Sequence, residues 1–303
     1  LLKALNIKAY PAFVSGTNNK AVAQALPSPL AFDHVITRID IAGKSYWIDG
    51  TRSYQRGSLD NRASGSYGSA LVITPDTHDL TEMVASSGQV YDADITETFT
   101  TSDYLKPASL KVVEIYQGAA AESRRHTYAS IARTELDRHQ LNRYARLYPG
   151  IEQVSSYVLT DDIANNTLTI TREYIVSDFW EKDEDEPNKL SYSIYAHLVG
   201  YGVDTPRYIR RKSPLALDNP IKLKHKVVIV MPGEYNIDAT ELPAPTVLNP
   251  PQFTFTKSFK PETNGYSATF EYNNNTDEVA AKDVAEYLAE IRKMENSLGM
   301  SGY

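Results

Sequence analysis

A run of β-branched residues between positions 35 and 41 constrains the fold of this chain more than any other feature. The sequence VITRIDI has the composition of a β-strand, and the aromatic and aliphatic residues at 46–48 resume the extended pattern after Gly43. Two such runs joined by a short glycine-containing connection are typical of a β-hairpin. The segment therefore predicts two antiparallel strands with a tight turn around Ala42 and Gly43.

The length of this turn determines which polar residues of the hairpin lie side by side. With an even number of turn residues, paired positions add up to an odd number, so Asp49 faces Ile36 and His34 lies diagonally beside Asp49. Diagonal neighbours on one face are about 7 Å apart between backbones, close enough for a carboxylate to reach an imidazole. Two interpretations stay open: an acid–base pair, or a strand-edge histidine with an aspartate that caps the turn into Gly50.

The same stretch resembles a known family of domains. From LLKALNIKAYPAFV through AFDHVI to GKSYWIDGT, the sequence is similar to the later part of a transglutaminase-like domain, of the bacterial papain-like group with a Cys, His, Asp triad. In that family the helix that begins with the cysteine ends in a phrase similar to residues 1–10, and the histidine and aspartate follow on adjacent strands. The resemblance implies that residues 1–5 end the nucleophile helix at Asn6, and that His34 and Asp49 are catalytic.

One member of that triad is absent, because the 303 residues include no cysteine. The family pattern places the nucleophile about ten residues, roughly one helix length, ahead of Leu1. The resemblance thus implies a fragment of a cysteine hydrolase that is inactive on its own.

Two departures from the wider family bear on the substrate. Val35 and Ile36 replace the Ala and Trp that often follow the histidine, and Gly50 replaces a frequent proline. Neither change removes a catalytic group, but both argue against the substrates of the animal cross-linking enzymes. We therefore expect hydrolysis of peptide amide bonds, and a calcium requirement is not carried over.

Composition disfavours several other classes of function. A net charge of -7 with both signs dispersed disfavours a nucleic-acid partner, which needs a concentrated basic face. The lack of cysteine excludes thiolate metal sites, and the six histidines include no pair at helical ligand spacing with a carboxylate, so we expect no metal and no cofactor. No stretch approaches the roughly 18 apolar residues that span a bilayer, and no signal peptide is visible.

Length and hydrophobic pattern predict an α+β protein with more than one unit. At 303 residues the chain exceeds the usual size of a single domain. The predicted units are the C-terminal part of the transglutaminase-like domain (1–80), a β-rich unit with a long helix (88–182) and a second β-rich unit with a C-terminal helix (190–303). Packing of the two β-rich segments as one larger unit is the alternative.

Four further segments carry specific expectations. Residues 119–150 are good helix formers with apolar residues at helical spacing, and a break is expected near Ser130. Residues 276–299 predict an amphipathic helix that ends at a glycine. The acidic run 181–189 lacks the spaced oxygen ligands of a calcium loop and is interpreted as a solvated linker. The Gly- and Ser-rich loop 56–69 either borders the active-site cleft or is a surface connector.

Three functions fit these features. The first is the cysteine hydrolase, with a protein or peptide as its substrate. The second is a non-catalytic envelope binding or scaffold protein with a degenerate transglutaminase-like domain, and the third is a carbohydrate-binding module that stacks sugars on some of the 21 tyrosines. The family resemblance implies export to the periplasm or beyond. Nothing in the sequence indicates an oligomeric state.

Overall fold

Within the part of the chain that the structure describes, two main β-sheets and four α-helices make up the fold, which is α+β as predicted. The computed structural model describes residues 2–65, 67–83, 91–182, 189–201, 203, 211–217 and 221–302. Among the helices in these ranges, none combines the length and the apolar character that a membrane crossing requires. Residues 183–188 of the predicted linker, and residues 84–87 between the first two predicted units, lie outside the described residues.

Five antiparallel strands form the smaller sheet. They are β1 (Lys8–Val14), β2 (His34–Ile41), β3 (Lys44–Ile48), β4 (Ser69–Val72) and β5 (Thr81–Glu82), in the spatial order β3-β2-β1-β4-β5. Short 3-10 helices cover Leu2–Leu5, Asn19–Gln24 and Pro29–Ala31. Five buried apolar residues of the sheet form a small core of their own, which consists of Ala12, Val14, Ile36, Ala70 and Val72.

The first residues end a helical turn at the position that the sequence predicts. Leu2–Leu5 is a 3-10 helix, and Asn6 follows it with a φ of +56°. Asparagine tolerates this left-handed conformation better than most residues because its side chain hydrogen-bonds locally. The Ile7 N–H then donates to the Leu2 carbonyl at 3.0 Å. This hydrogen bond closes the helical turn, and β1 begins at the next residue.

The hairpin has the predicted even-numbered turn. Ile41 pairs with Lys44, so Ala42 and Gly43 alone connect β2 to β3. Both turn residues have positive φ, +50° and +79° respectively. Such a pair is typical of a type I′ turn, whose twist matches that of the two strands it joins. The register that follows places the end of β3 opposite the start of β2.

Eight strands form the larger sheet. They are β6 (Ala93–Thr101), β7 (Ala108–Gln117), β8 (Ile151–Asp162), β9 (Thr167–Val176), β13 (Lys222–Val230), β14 (Thr246–Leu248), β15 (Phe253–Glu262) and β16 (Gly265–Asn274). Their spatial order is β14-β15-β16-β13-β6-β7-β9-β8. Two small sheets contain the other described strands. One consists of β10 (Glu181–Lys182), β11 (Leu190–Tyr195) and β18 (Gly299–Gly302), and the other of β12 (Leu215–Ala216) and β17 (Glu278–Val279).

The segments predicted as two β-rich units contribute to one sheet and one core. They meet where β6 runs parallel to β13, with pairs from Leu223 opposite Ala93 to Val230 opposite Thr100. A parallel pair requires a long crossover connection, which is why neighbours in the sheet come from distant parts of the chain. A single cluster of buried apolar residues includes side chains from both segments. The two segments therefore share one hydrophobic core.

Helices follow the predicted pattern in both segments. The stretch after β7 forms α1 (Gly118–Ser130) and α2 (Arg133–Ala145), so the expected break falls at residues 131–132. A short α3 (His197–Tyr201) follows β11. The C-terminal helix α4 (Val284–Ser297) buries an apolar face that consists of Val284, Tyr287, Leu288, Ile291 and Met294.

Many of the tyrosines lie in the core. Among the described residues, nine tyrosines are buried: Tyr116, Tyr144, Tyr148, Tyr157, Tyr174, Tyr192, Tyr266, Tyr272 and Tyr287. A sugar-stacking surface needs aromatic faces that are open to solvent. The burial of these side chains therefore counts against the carbohydrate-binding interpretation.

Substituting Ala42 tests the turn assignment. Alanine in the left-handed region costs about 1–2 kcal/mol, whereas asparagine is favoured in type I′ turns. We expect Ala42→Asn to stabilise the hairpin by about 1 kcal/mol and to slow native-state hydrogen exchange of the β2 and β3 amides about fivefold. Gly43→Ala should have the opposite effect, because it places a Cβ on the second left-handed residue. Faster exchange in Ala42→Asn would contradict the turn type.

Candidate functional site

His34 and Asp49 lie side by side at the open end of the hairpin. His34 is the first residue of β2, and Asp49 directly follows β3. The last ladder pair joins Thr37 to Ile48, so the same register brings Asp49 opposite Ile36 and diagonal to His34, as predicted. The two side chains meet in a hydrogen bond of 2.9 Å between His34 Nε2 and Asp49 Oδ2. Their catalytic role stays a prediction.

Asp49 is held by four hydrogen-bond donors. Its Oδ1 accepts from the Thr51 N–H at 3.0 Å and from the Thr51 hydroxyl at 2.7 Å, while Oδ2 accepts from His34 and from the Tyr67 hydroxyl at 3.1 Å. Burial by itself would raise the pKa of Asp49, but the bonds from Thr51, His34 and Tyr67 outweigh it and lower the pKa. Asp49 is therefore a carboxylate at neutral pH.

The charge on Asp49 fixes the tautomer of a neutral His34. A carboxylate can only accept, so the proton of the imidazole lies on Nε2, and Nδ1 keeps its lone pair. The side chain of His34 is 27% exposed and that of Asp49 only 5%. The histidine is thus accessible to a reacting group, whereas the aspartate is shielded from water.

Tyr67 is a site residue that the sequence does not predict. Its hydroxyl donates to Asp49, and its ring centroid lies 5.8 Å from that of His34. Burial and the charge of Asp49 raise the pKa of Tyr67 to about 12, which keeps the hydroxyl protonated as a donor. The residue lies near the end of loop 56–69, so this loop borders the pair. The glycines and serines of the loop indicated its position but not which side chain points inward.

Gly68 makes the position of Tyr67 sterically feasible. It has a φ of +71°, and a Cβ at this position would lie 2.5 Å from the Lys20 Cα. A glycine allows the loop to pass this close to the segment after β1. The phenol therefore reaches the end of the hairpin from a distant part of the sequence.

Asp33 anchors the start of β2 beside the histidine. Its Oδ1 accepts from the Gly16 N–H at 2.6 Å, and its Oδ2 accepts from the N–H and the hydroxyl of Thr17 at 3.1 and 2.7 Å. The bond from Gly16, followed by that from the Thr17 hydroxyl, lowers the pKa of Asp33. These bonds tie the residue before His34 to the loop that follows β1, which limits movement of the histidine.

An apolar groove of about 1170 Å³ opens next to His34. Its apolar lining includes Phe13, Val22, Leu26, Phe32, Leu71 and Leu80. Leu26 is 88% exposed, so part of this apolar lining is open to solvent. Apolar surface that stays open to solvent beside a titratable group is typical of a binding site. The groove therefore offers a place for an apolar group close to the His34 imidazole.

A second cluster of ligand-type side chains lies in the core of the larger sheet. Glu97, His197 and His225 are buried, and their donor atoms lie within 4.8 Å of one another. The sequence predicts no metal site, because these residues come from β6, α3 and β13 and show no ligand spacing. A signal was nevertheless present: Glu97 and His225 occupy core positions in the alternating patterns of their strands.

The role of Thr51 as a donor to Asp49 is testable. Thr51→Val removes the hydroxyl at 2.7 Å but keeps the backbone N–H, so we expect the pKa of Asp49 to rise, as measured by carboxyl ¹³C NMR titration. The lowered pKa stabilises the folded state above the unfolded value of about 3.9, and this contribution is lost as pH falls through the folded pKa. The variant should thus be about 1–2 kcal/mol less stable at neutral pH.

The same reasoning predicts that this stability difference shrinks in acid. Thr96→Val makes the same chemical change in β6, in the other sheet, and serves as the matched control. The control should leave the Asp49 titration unchanged. An unchanged Asp49 titration in Thr51→Val as well would show that the hydroxyl does not hold the carboxylate.

Comparisons with known proteins give one structural similarity. No protein-family model matches this chain, and no curated protein sequence does. Among solved structures, a protein of Parabacteroides distasonis described as a "putative protease" is similar over 99% of this chain and 41% of its own, with 11% identity and a TM-score of 0.45. The chain spans less than half the length of that protein. Similarity at this level assigns no role to His34 or Asp49.

Proposed function

We propose that His34 and Asp49 are the histidine and aspartate of a Cys-His-Asp triad in a transglutaminase-like cysteine hydrolase that acts on peptide amide bonds. The 2.9 Å bond between a partly exposed imidazole and a shielded carboxylate is the observation that carries this proposal. A triad needs this asymmetry, because the histidine exchanges protons with the reactants while the aspartate only orients it. The resemblance of residues 1–51 to the later part of such a domain supports the same assignment.

The tautomer of His34 matches the proton transfers that the reaction requires. In the proposal, a cysteine thiol gives its proton to His34 Nδ1, and the thiolate attacks the carbonyl carbon of the amide. The tetrahedral intermediate collapses when the imidazolium returns that proton to the leaving amine, which breaks the C–N bond and leaves a thioester. His34 then takes a proton from water, and the water oxygen attacks the thioester carbonyl. The C–S bond breaks to release the acid, and the imidazolium returns its proton to the leaving thiolate.

Asp49 contributes to each of these steps without exchanging a proton. Its Oδ2 accepts from His34 Nε2, which keeps Nδ1 directed at the nucleophile. Its negative charge stabilises the imidazolium that forms after the thiol is deprotonated. The donors Thr51 and Tyr67 hold the carboxylate in place and keep it ionised. Their role is one of positioning.

The nucleophile of the proposed triad is not among the 303 residues, which include no cysteine. The proposal requires that the natural protein supply it from a preceding segment, as the family pattern implies. The apolar groove beside His34 would hold the part of the peptide next to the scissile bond, which favours an apolar side chain there.

Thiol labelling of the full-length natural protein tests the proposal. We expect iodoacetamide to alkylate one cysteine ahead of residue 1 rapidly at pH 6, because the pair lowers the pKa of its thiol. His34→Ala should slow that alkylation about tenfold or more, since the thiol returns towards its usual pKa of about 8.5. Asp49→Asn should slow it by a smaller factor, and peptide mapping identifies the labelled residue.

His139→Ala is the matched control for this experiment. His139 also lies near a carboxylate, with its Nε2 3.5 Å from Glu135 Oε1, but both side chains are exposed on the surface of α2. Its replacement should leave the labelling rate unchanged. A natural protein without such a cysteine, or a labelling rate that ignores both His34 and Asp49, would refute the triad and favour the binding or scaffold protein.

A further inference from the structure

Two adjacent strands of the larger sheet place a polar residue on an otherwise apolar face. In β6 the buried positions alternate through Ala93, Ile95, Glu97 and Phe99, and in β13 through Leu223, His225, Val227 and Ile229. The parallel register pairs Val227 with Glu97, so His225 is a diagonal neighbour of the glutamate on the same face. His197 joins them from the first position of α3.

All three side chains are removed from water. Their exposed fractions are 0% for Glu97, 1% for His197 and 0% for His225. A carboxylate that is transferred from water into an apolar core has a large desolvation cost unless a positive charge or several donors stabilise it. Tyr144 supplies one donor, since its hydroxyl lies 2.6 Å from Glu97 Oε1.

The remaining contacts within the cluster are close but badly directed for hydrogen bonds. Glu97 Oε2 lies 3.2 Å from His225 Nε2, and Glu97 Oε1 lies 3.4 Å from His197 Nδ1. Within the described part of the chain, Glu97 Oε2 and both ring nitrogens of His225 have no hydrogen bond of acceptable geometry. Buried polar atoms of this kind are rare and indicate a further ligand, such as an ion or a water molecule.

These separations fit a tetrahedral metal ion. With metal–ligand bonds of about 2.0–2.1 Å, two ligand atoms on a tetrahedron lie about 3.3 Å apart. Each residue offers one such atom, so the cluster supplies two imidazole nitrogens and one carboxylate oxygen, which fill three of the four positions of a tetrahedral ion. Magnesium and calcium prefer sites made of oxygen alone, whereas imidazole favours zinc and its neighbours.

We propose that Glu97, His197 and His225 bind one Zn²⁺ ion, which serves as a structural metal. The site is closed on all sides by the core, whereas a catalytic zinc keeps an open coordination position. The ion would connect β6, β13 and α3, and therefore the two segments that share the larger sheet. The hydroxyl of Tyr144 has the role of an outer-shell group that orients the glutamate.

Metal content and thermal stability of the 303-residue chain test this site. For protein from zinc-supplemented medium, we expect elemental mass spectrometry to find about one Zn²⁺ per chain. Removing the ion with a chelator should lower the midpoint of thermal unfolding, and adding zinc back should restore it. His225→Asn and Glu97→Gln should lose the bound zinc, while His34→Asn keeps it, because His34 lies outside the cluster. Tyr144→Phe should keep the zinc but bind it at least about tenfold more weakly.

A spectroscopic measurement on the unaltered chain tests the site even if the variants fail to fold. Chelated chain loaded with Co²⁺ should show the intense visible absorption of tetrahedral cobalt, which zinc then displaces. The proposal would be overturned if the wild-type chain contained no zinc, showed no cobalt absorption and did not change its thermal stability with either ion. The cluster would then be a buried hydrogen-bonding and ion-pair group. Zinc retained by a folded His197→Asn, His225→Asn double variant would also overturn it, because the ion would then bind elsewhere.

Discussion

The parallel pairing of β6 with β13 is the contact on which most of the structure depends. It lies in the middle of the eight-stranded sheet, with three strands beyond β6 and three beyond β13. The pairing joins residues that are about 130 positions apart in the chain, so neither segment completes the sheet alone. Since the two strands also present Glu97 and His225 on one face, the contact that closes the core creates the cluster of donor atoms.

The hairpin site is connected to this larger sheet through the loop that follows Asp49. Arg52 lies 2.9 Å from the buried carboxylate of Glu122 in α1, and the Gly57 N–H donates to the Ile163 carbonyl at 2.9 Å. Glu122 also accepts from the Asn166 side chain at 3.0 Å, yet burial keeps its pKa raised. Anchored at Arg52 and Gly57, the loop has little freedom to move Asp49 away from His34. The proposed catalytic pair therefore depends on the larger sheet for part of its order.

The sequence predicts the hairpin site because its information is local. A two-residue turn fixes the register, and the register fixes the diagonal that joins His34 to Asp49. Tyr67 could not be predicted in the same way. Its hydroxyl reaches Asp49 because Gly68 passes close to the backbone of Lys20, and that contact depends on packing between distant segments. The break between α1 and α2 was predictable because it depends on neighbouring residues in the sequence. The joining of the two β-rich segments in one sheet depends on pairing between distant strands, which the local pattern does not determine.

The His34–Asp49 pair in the hairpin and the His225–Glu97 pair in the core differ in direction more than in distance. His34 Nε2 lies 2.9 Å from Asp49 with the geometry of a hydrogen bond, and a second nitrogen remains for proton transfer at a partly exposed surface. His225 Nε2 is only slightly farther from Glu97, at 3.2 Å, but the atoms do not align for a shared proton. A shared proton requires donor and acceptor to point at each other, whereas a metal requires both lone pairs to point at a third position. This difference in direction supports the acid–base role proposed for the hairpin pair and the metal site proposed for the core.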